Sequence, residues 1–386
     1  MLLNVQQYLN EKSLENLKIE FGVDYSEFES LVVLNYNQID SPKDHLIVLE
    51  CRGLVLEKNS WRIISYPFRR FFNYSEVPRI TDTFDFTKAV GLEKLDGSLI
   101  SVFNYNDKWL MSTRGMIENE SCVGLTSITF KDLFYKTTEK YPNFWKNISK
   151  SFIYCFEITS PENRVVTIYK DRQLHLLMMR RIITWEELPL KNLKEWSIEL
   201  GIDLPKIETF ADKNQLLDLV KSLAALDEGF VAVDYTKNDD DNISFKRVKV
   251  KNPSYVAIHH IKSKVGSSLR SVISLVIDNQ IDEFLGYFSE FTEIVMDVKA
   301  KYDAYIQRIN SETEQFKEYF SKSRKEFALA VKDCANPSYM FQLYDNKVKT
   351  ILEFFDNLEK MKSRKYLEKY LVEKLKLKDI TFSVEL

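Results

Sequence analysis

The chain has 386 residues, 45% of them hydrophobic and 29% charged, with a formal net charge of −3. That is enough for one large domain or two of ordinary size, and the balance is that of a soluble globular protein. No uncharged apolar run approaches the roughly 18 residues of a membrane-spanning helix, and the slightly acidic total argues against indiscriminate polyanion binding while allowing a local basic face.

Met1-Leu2-Leu3-Asn4 and the residues after it lack the basic and long apolar parts of a signal peptide. Cys51, Cys122, Cys155 and Cys334 are scattered, with no Cys-x-x-Cys pair and no nearby histidines. A zinc site or disulfide framework is therefore not expected, and a reducing cytoplasm is. Glycine is scarce: ten in all, none after Gly286. Gly53, Gly97, Gly115 and Gly229 each stand beside a charged residue, which points to turns or close approaches at those positions.

Residues 1–30 read as helical, with Leu9, Leu14, Leu17 and Phe21 at helical spacing. Short strands follow at Leu31–Leu34, Leu46–Leu49, Leu54–Leu56 and Ile63–Ile64, with a turn at Asn59-Ser60 and breaks at Pro42, Pro67 and Pro78. Lys94-Leu95-Asp96-Gly97-Ser98, between Ala89-Val90 and Leu99–Phe103, reads as strand, tight turn and strand. Trp109–Met111 is another strand, and Leu125–Tyr141 reads as helical. Strands are expected at Phe152–Ile158, Val165–Tyr169 and Leu174–Met179, and helices at Leu188–Leu200 and Asn214–Leu226. Gly229–Val233 and Arg247–Val250 return to strand, with Asp239-Asp240-Asp241 as a solvated hairpin tip. After Lys264 glycine and proline almost vanish. Ile281, Phe284, Leu285, Phe288 and Phe291, continued by Val295, Val298, Tyr302 and Ile306, form an apolar stripe read as core. Further helical segments are Phe327–Val331, Ile351–Leu358 and Tyr366–Leu375. The domain junction is placed at 264/265, near Gly266-Ser267-Ser268.

Lys-x-Asp-Gly arises by chance in about one chain in ten of this length, so alone it is better read as an ordinary hairpin. A nucleophilic lysine that attacks a phosphate has further needs. Its amine must be partly deprotonated, which cationic neighbours favour, and cations must stabilise charge in the transition state. Magnesium requires a few carboxylates, with phosphates and water completing its shell. Candidates at strand ends are Arg52, Arg70, Arg114, Glu157, Glu228, Lys249 and Lys251. Each has a bland reading. Glu157 could point to solvent by alternation, Glu228 could be a turn residue, and Arg52 and Arg114 could be surface ion-pair partners. Lys249 and Lys251 share a strand face and could be a solvated edge.

Order and spacing change the odds. Lys94-Leu95-Asp96-Gly97-Ser98, Tyr154–Ile158, Glu228–Val231 and Lys249-Val250-Lys251 resemble, in that order, the motifs of covalent nucleotidyltransferases, the polynucleotide ligases and mRNA capping enzymes. The finer resemblance is to the RNA ligase 1 family of bacteriophages, carried by Leu49–Glu57, Pro67–Asn73, Phe156–Val166 and Asp227–Val233 and covering roughly residues 30–262. It implies an α+β fold: a nucleotidyltransferase (ATP-grasp-like ligase) domain of antiparallel sheets flanked by helices over residues 1–264, then an all-α domain over 265–386.

The resemblance also implies the chemistry. Lys94 would take AMP from ATP, AMP would pass to a 5′-phosphate on RNA, and a 3′-hydroxyl would attack that end. Glu157 and Glu228 would serve Mg2+, with Mn2+ as an alternative. Lys249 and Lys251 would contact phosphates, Lys249 being the α-phosphate partner. Arg52 would lie near the nucleotide, with Arg70 and Arg114 where relatives often carry lysine, an exchange of a planar fork for a point charge. Glu93 would face adenine, and Asp96 and Gly97 would shape the turn that presents Lys94.

The helical tail resembles that of the same family, with Arg324–Lys332 similar to a segment of thermophile-phage members. DNA ligases and GTP-using capping enzymes carry a β-barrel OB-fold there and remain the alternatives, together with an RNA-binding relative that has lost catalysis. Implied partners are single-stranded or nicked stem-loop RNA, tRNA among them, acted on by a monomer in the cytoplasm. No Gly-x-x-x-x-Gly-Lys-Ser/Thr loop appears, so a polynucleotide kinase–phosphatase would be a separate protein.

Overall fold

The computed structural model describes residues 2–124, 126–239, 241–256, 258–259, 269–277, 281–288 and 291–377. The chain divides into two compact units, residues 1–257 and 258–386; the junction expected at 264/265 lies outside the described residues. No helix among the described residues is long and apolar enough to cross a membrane.

Helices α1 (Asn4–Glu11) and α2 (Leu14–Phe21) open the first unit, but the helical reading of residues 1–30 stops early. Gly22, at φ +62°, caps α2 in the left-handed region that glycine adopts without cost. Val23–Phe28 then forms strand β1, paired antiparallel with β2 (Leu31–Tyr36). The continuous apolar run of β2 is buried on both faces. Val32, Leu34 and Tyr36 pack with α1 and α2, while Leu31 and Val33 pack with Phe103, Ile117 and Ile153.

Leu46–Glu50 is a helix, α3, where a strand was expected. Four apolar residues cannot separate the two states by periodicity, and Glu50 decides the matter. Its buried carboxylate accepts from the Asn4 and Val5 backbone N–H groups at 3.1 and 2.9 Å, satisfying the open N-terminus of α1. Strands β3 (Arg52–Glu57) and β4 (Ile63–Ser65) complete the first antiparallel sheet, in order β1-β2-β3-β4.

After the short helix α4 (Pro78–Thr81), strand β5 (Val90–Glu93) enters a second sheet and β6 (Ser98–Tyr105) a third. The Lys94–Gly97 link is therefore a crossing between sheets, which corrects its reading as a hairpin. The third sheet, in order β7-β6-β8-β9, comprises β6 with β7 (Lys108–Ser112), β8 (Phe152–Thr159) and β9 (Gln173–Arg181). Helices α5 (Phe130–Thr138), α6 (Phe144–Asn147) and α7 (Leu190–Leu200) cover it through Phe134, Phe144, Tyr154, Phe156 and Leu193. Helix α5 starts later than the reading of Leu125–Tyr141, because Thr129 caps it by accepting from the Asp132 N–H; residue 125 is outside the description. Val165–Tyr169 is not a strand, since its amides are used elsewhere (below).

The second sheet, in order β10-β5-β11-β12, adds β10 (Ile207–Glu208), β11 (Gly229–Asn238) and β12 (Phe245–Lys251), with helix α8 (Lys213–Lys221) against it through Leu216 and Val220. Helix α8 ends five residues before Leu226, where the helical reading stopped. Asp241, read as part of a solvated tip, turns inward. Its carboxylate accepts from the Ile243 and Ser244 amides, the Ser244 hydroxyl and the Tyr66 hydroxyl. Residue 240 lies outside the description.

The second unit is helical, at Leu269–Ile277, Ile281–Tyr287, Thr292–Gln315, Arg324–Val331, Pro337–Tyr344, Ile351–Met361 and Arg364–Lys374. Of the apolar stripe, Ile281, Phe284, Phe288, Val295, Val298 and Tyr302 are buried; Ile306 is only partly so, and Tyr305 and Ile309 take the inward positions. The cap of α1 is one carboxylate of α3, that of Glu50. Glu50→Ala should leave two α1 amides uncapped and cost about 1–2 kcal/mol, read as a lower urea midpoint; an unchanged midpoint would show that water replaces the cap.

Candidate active site

Lys94 sits where the chain leaves the second sheet for the third. Its backbone N–H donates to the Gly229 carbonyl at 2.9 Å, which fixes it beside the start of β11. Gly229 has φ +130°, and a Cβ there would lie 2.2 Å from the Val250 carbonyl. Gly97 has a different reason to be glycine. Its φ is ordinary, but a Cβ would lie 2.3 Å from the Ile158 carbonyl of β8. Between them Asp96 is buried: its Oδ2 accepts from the Val166 and Thr167 amides at 2.6 and 2.7 Å, and its Oδ1 from the Tyr255 hydroxyl at 2.6 Å. Its own N–H donates to the Tyr169 hydroxyl at 2.9 Å.

The Lys94 ammonium lies 2.6 Å from Glu228 Oε2, and Lys251 lies 2.7 Å from Oε1 of the same buried carboxylate. In β12, Arg247, Lys249 and Lys251 share one face, opposite Val233, Val231 and Gly229 of β11. The Pro67–Asn73 segment closes the β12 edge through a parallel bridge of Asn73 to Lys249, with Lys249 N–H donating to the Phe72 carbonyl.

These elements enclose a cleft of about 340 Å³, within the range of small-ligand pockets. Arg52, Arg70, Glu93, Lys94, Glu157, Lys249 and Lys251 all line it. Glu228 is reached through its two lysines. Arg114 is not on the lining; its guanidinium lies over the Tyr36 ring at 5.2 Å, and Arg70 lies over that ring at 4.0 Å. Glu157 is not a solvent-facing residue of alternation. Its Oε1 accepts from the Gly97 N–H at 3.2 Å, and burial, reinforced by Glu228 and opposed by Lys94, pushes its carboxyl up to about 7.

Burial and the charges of Arg52, Lys94 and Lys251 hold the Lys249 ammonium well below its ordinary value. Burial likewise lowers Arg52 and Arg70. Aromatic faces partly stand in for anions: Phe71 lies 4.9 Å from the Arg52 guanidinium and 4.6 Å from the Lys249 ammonium. Glu157, with spare acceptor capacity, has the chemistry of a ligand for a hard divalent cation whose other ligands come from phosphate and water, whereas both oxygens of Glu228 are engaged by Lys94 and Lys251 and join such a shell only if an ammonium gives way. No group of three or more His, Cys, Asp or Glu side chains able to hold a metal occurs among the described residues.

Several contributors carried no recognised signal. Arg247 was within reach, being two residues before Lys249 on the same face. It lines the cleft, lies 4.8 Å from the Phe68 ring, and is held by both oxygens of Glu187 at 3.1 and 2.5 Å. Glu187 also takes Arg180 at 3.0 Å, and Arg180 donates to the Pro67 carbonyl at 3.3 Å. Glu187 and Arg180 stand behind Arg247, and Tyr169 and Tyr255 meet at Asp96; neither group carries a motif spacing that marks it in the sequence.

The family model for RNA ligase matches residues 50–255, a stretch that includes every one of these site residues except Tyr36. The chain belongs to the T4 RNA ligase 1 family. It is 25% identical over 401 residues to the RNA ligase of Rhodothermus phage RM378, covering 87% of this chain and 89% of that one, so the likeness runs into the helical unit. It is 30% identical over 314 residues, 76% of its length, to a protein of Autographa californica nuclear polyhedrosis virus whose name couples polynucleotide kinase with RNA ligase; the chain spans 43% of that relative. Among solved structures, an archaeal ATP-dependent RNA ligase matches with a TM-score of 0.43 at 13% identity, covering 69% of this chain and 68% of that one. Naegleria gruberi RNA ligase with ATP and Mn gives 0.38 at 14%, covering 51% and 58%.

Two expectations follow from the geometry of this RNA ligase family site. Glu157 titrates near 7 in the folded protein against 4.5 ordinarily. Between those values the folded form holds a proton that the unfolded chain has lost, so stability falls as pH rises through this window and stays reduced above it. Glu157→Gln should therefore make the ligand-free protein more resistant to urea at pH 8 relative to pH 4.5; an equal effect at both would refute the buried charge. Glu187→Ala leaves two buried guanidiniums without their carboxylate and should cost about 3–5 kcal/mol, whereas a loss under about 1 kcal/mol would mean that water enters.

Proposed function

We propose that the chain joins 5′-phosphate and 3′-hydroxyl RNA ends at the expense of ATP, with Lys94 as the residue that carries AMP. The observation that supports this most is the single cleft in which Lys94 meets Glu228, Lys251, Lys249, Arg52 and Glu157, in a chain of the RNA ligase family.

In the first step the Lys94 amine attacks the α-phosphorus of ATP. A P–N bond forms, the bond to the bridging oxygen breaks, and pyrophosphate leaves. The attacking form is the free amine; in the ligand-free protein the Lys94 ammonium is held by Glu228 Oε2 at 2.6 Å, with Lys249, Lys251 and Arg52 around it. Those same groups stabilise charge on the α-phosphate as it reacts, Lys249 and Arg52 being the two without a salt bridge among the described residues. AMP then moves from Lys94 to the 5′-phosphate of RNA, forming a P–O–P linkage, and a 3′-hydroxyl displaces AMP to make the phosphodiester. Glu157 and Glu228 would hold a divalent ion, Mg2+ or Mn2+, which supplies charge neutralisation at the phosphates. Arg70 and Arg114, both stacked on Tyr36, would meet the outer phosphates, and Glu93 at the rim would face the adenine side.

The substrate on this reading is single-stranded or nicked stem-loop RNA, with a broken tRNA loop as one such molecule. Its ends require a kinase–phosphatase activity, and the baculovirus relative's name places a kinase beside a ligase.

Incubation with α-labelled ATP and magnesium should give an acid-labile adduct on Lys94, and GTP run alongside should give little. Lys94→Ala should abolish the adduct and the sealing of 5′-phosphate RNA yet retain some sealing of pre-adenylated RNA. Labelling that survives the substitution would sink the mechanism.

A further inference from the structure

We propose, on the basis of that ligase reading, that a recess adjoining the cleft binds a backbone phosphodiester of the 5′-phosphorylated RNA strand. The recess shares Arg70, Phe71, Phe72 and Arg247 with the cleft and adds Arg79 and Lys246, with Asp239 as its carboxylate. Its volume is about 140 Å³, well under half that of the cleft. That is room for a phosphate and part of a sugar and too little for a nucleotide, which separates it from the place where AMP would sit.

The charges are unequal. Asp239 is already taken, its carboxylate lying 3.5 Å from the Arg69 guanidinium outside the recess lining. Arg247 is neutralised by Glu187, and Arg79 pairs with Asp44. Arg70 and Lys246 remain, and among the described residues neither makes a salt bridge. Arg70 is buried, and its Nη1 has no hydrogen-bond partner. A buried guanidinium with an unmet donor beside an unpaired lysine favours an anion that brings several acceptor oxygens.

Continuity points to the RNA strand as the source of that anion. Arg70 and Arg247 line both hollows, the Arg70 guanidinium lying over the Tyr36 ring on the cleft side, so a strand whose 5′-phosphate lies against Lys94 can pass its next phosphate from one hollow to the other between these two residues. Lys246 is on the opposite face of β12 from Lys249 and Lys251. It is thus outside the set that meets ATP in the proposed first step, and the two roles can be separated by substitution.

The test uses the full chain with Lys246→Glu and, to keep the aliphatic stem, Lys246→Met. Three reactions are compared: Lys94 adenylylation and its reversal by pyrophosphate without RNA, AMP transfer to a nucleoside 3′,5′-bisphosphate, and AMP transfer to a 5′-phosphorylated oligoribonucleotide. Both variants should adenylylate as the parent does, which also reports that they fold, and should use the bisphosphate less well, because its 3′-phosphate stands where the strand's next phosphodiester does. The half-saturating concentration of the oligonucleotide should rise on the order of 3- to 10-fold, and the slope of log affinity against log salt should shrink by about 0.7 in the lysine-to-methionine variant. No effect on either the bisphosphate or the oligonucleotide would overturn the assignment. A change confined to adenylylation and its reversal would give the recess to pyrophosphate instead. A parent protein that accepts no AMP at all would fail at the first reaction, refuting the ligase reading and with it an RNA subsite built on it.

Discussion

The buried carboxylate of Asp96 is the contact on which the site depends. It takes two amides from the loop after β8 and a hydroxyl from Tyr255 beyond β12, while its own amide is held by Tyr169. A carboxylate removed from water costs several kcal/mol unless its oxygens are met, and here three charge-assisted bonds meet them. The loop gives up the chance to be a strand in the process, since Val166 and Thr167 spend their amides on Asp96. Two residues upstream Lys94 is bonded to Gly229 of the second sheet; one residue downstream Gly97 is pressed against Ile158 of the third. The lysine is thus held from both ends, between two sheets that share no strand.

Around that fixed point the cations outnumber the carboxylates available to them. Arg52 and Arg70 are both desolvated, and neither Nη1 has a partner. Their aromatic neighbours contribute about 0.5–2 kcal/mol each, less than the several kcal/mol that burying a guanidinium takes. The deficit is a stability cost carried by the ligand-free protein and removed by an incoming anion. The contrast with Arg180 is instructive. It is equally buried, but Glu187, Ser244 and three carbonyls surround it, so it serves as a strut for Arg247 and the Pro67 backbone. Burial by itself does not mark a binding residue, and neither does one unmet donor, since Arg180 Nε also lacks a partner; what sets Arg52 and Arg70 apart is a desolvated guanidinium with no carboxylate against it among the described residues.

Most strands were legible because apolar runs bounded by turn residues are a local property. Leu46–Glu50 and Val165–Tyr169 were misread for one reason: each is shaped by a contact with a part of the chain far away in sequence, the first through Glu50 reaching α1, the second through Asp96 reaching it. The Lys94–Gly97 turn looked like a hairpin because nothing in Asp96-Gly97 tells whether the two flanking strands pair with each other. Its glycine is required by a carbonyl overhead, which no local pattern encodes. The charged candidates were legible as a set through motif order, and the folded chain brings all of them to the cleft or to a residue lining it. Glu187 and Tyr255 were not, since a single Glu or Tyr at an arbitrary distance carries no spacing to read.

Strand β12 shows how far periodicity goes and where it ends. Arg247, Lys249 and Lys251 share a face by a period of two, and from sequence they are equivalent. In the fold each meets a different neighbour: Glu187 for the first, the Phe71 ring for the second, Glu228 for the third. The two carboxylates come from opposite ends of the strand, one from beyond β9 and one from the start of β11, and neither pairs with the middle position. Lys249 is consequently the cation of the three with its charge least compensated, and burial depresses its ammonium further. An anion entering the cleft gains most there, because its attraction is not offset by a carboxylate that must first be displaced.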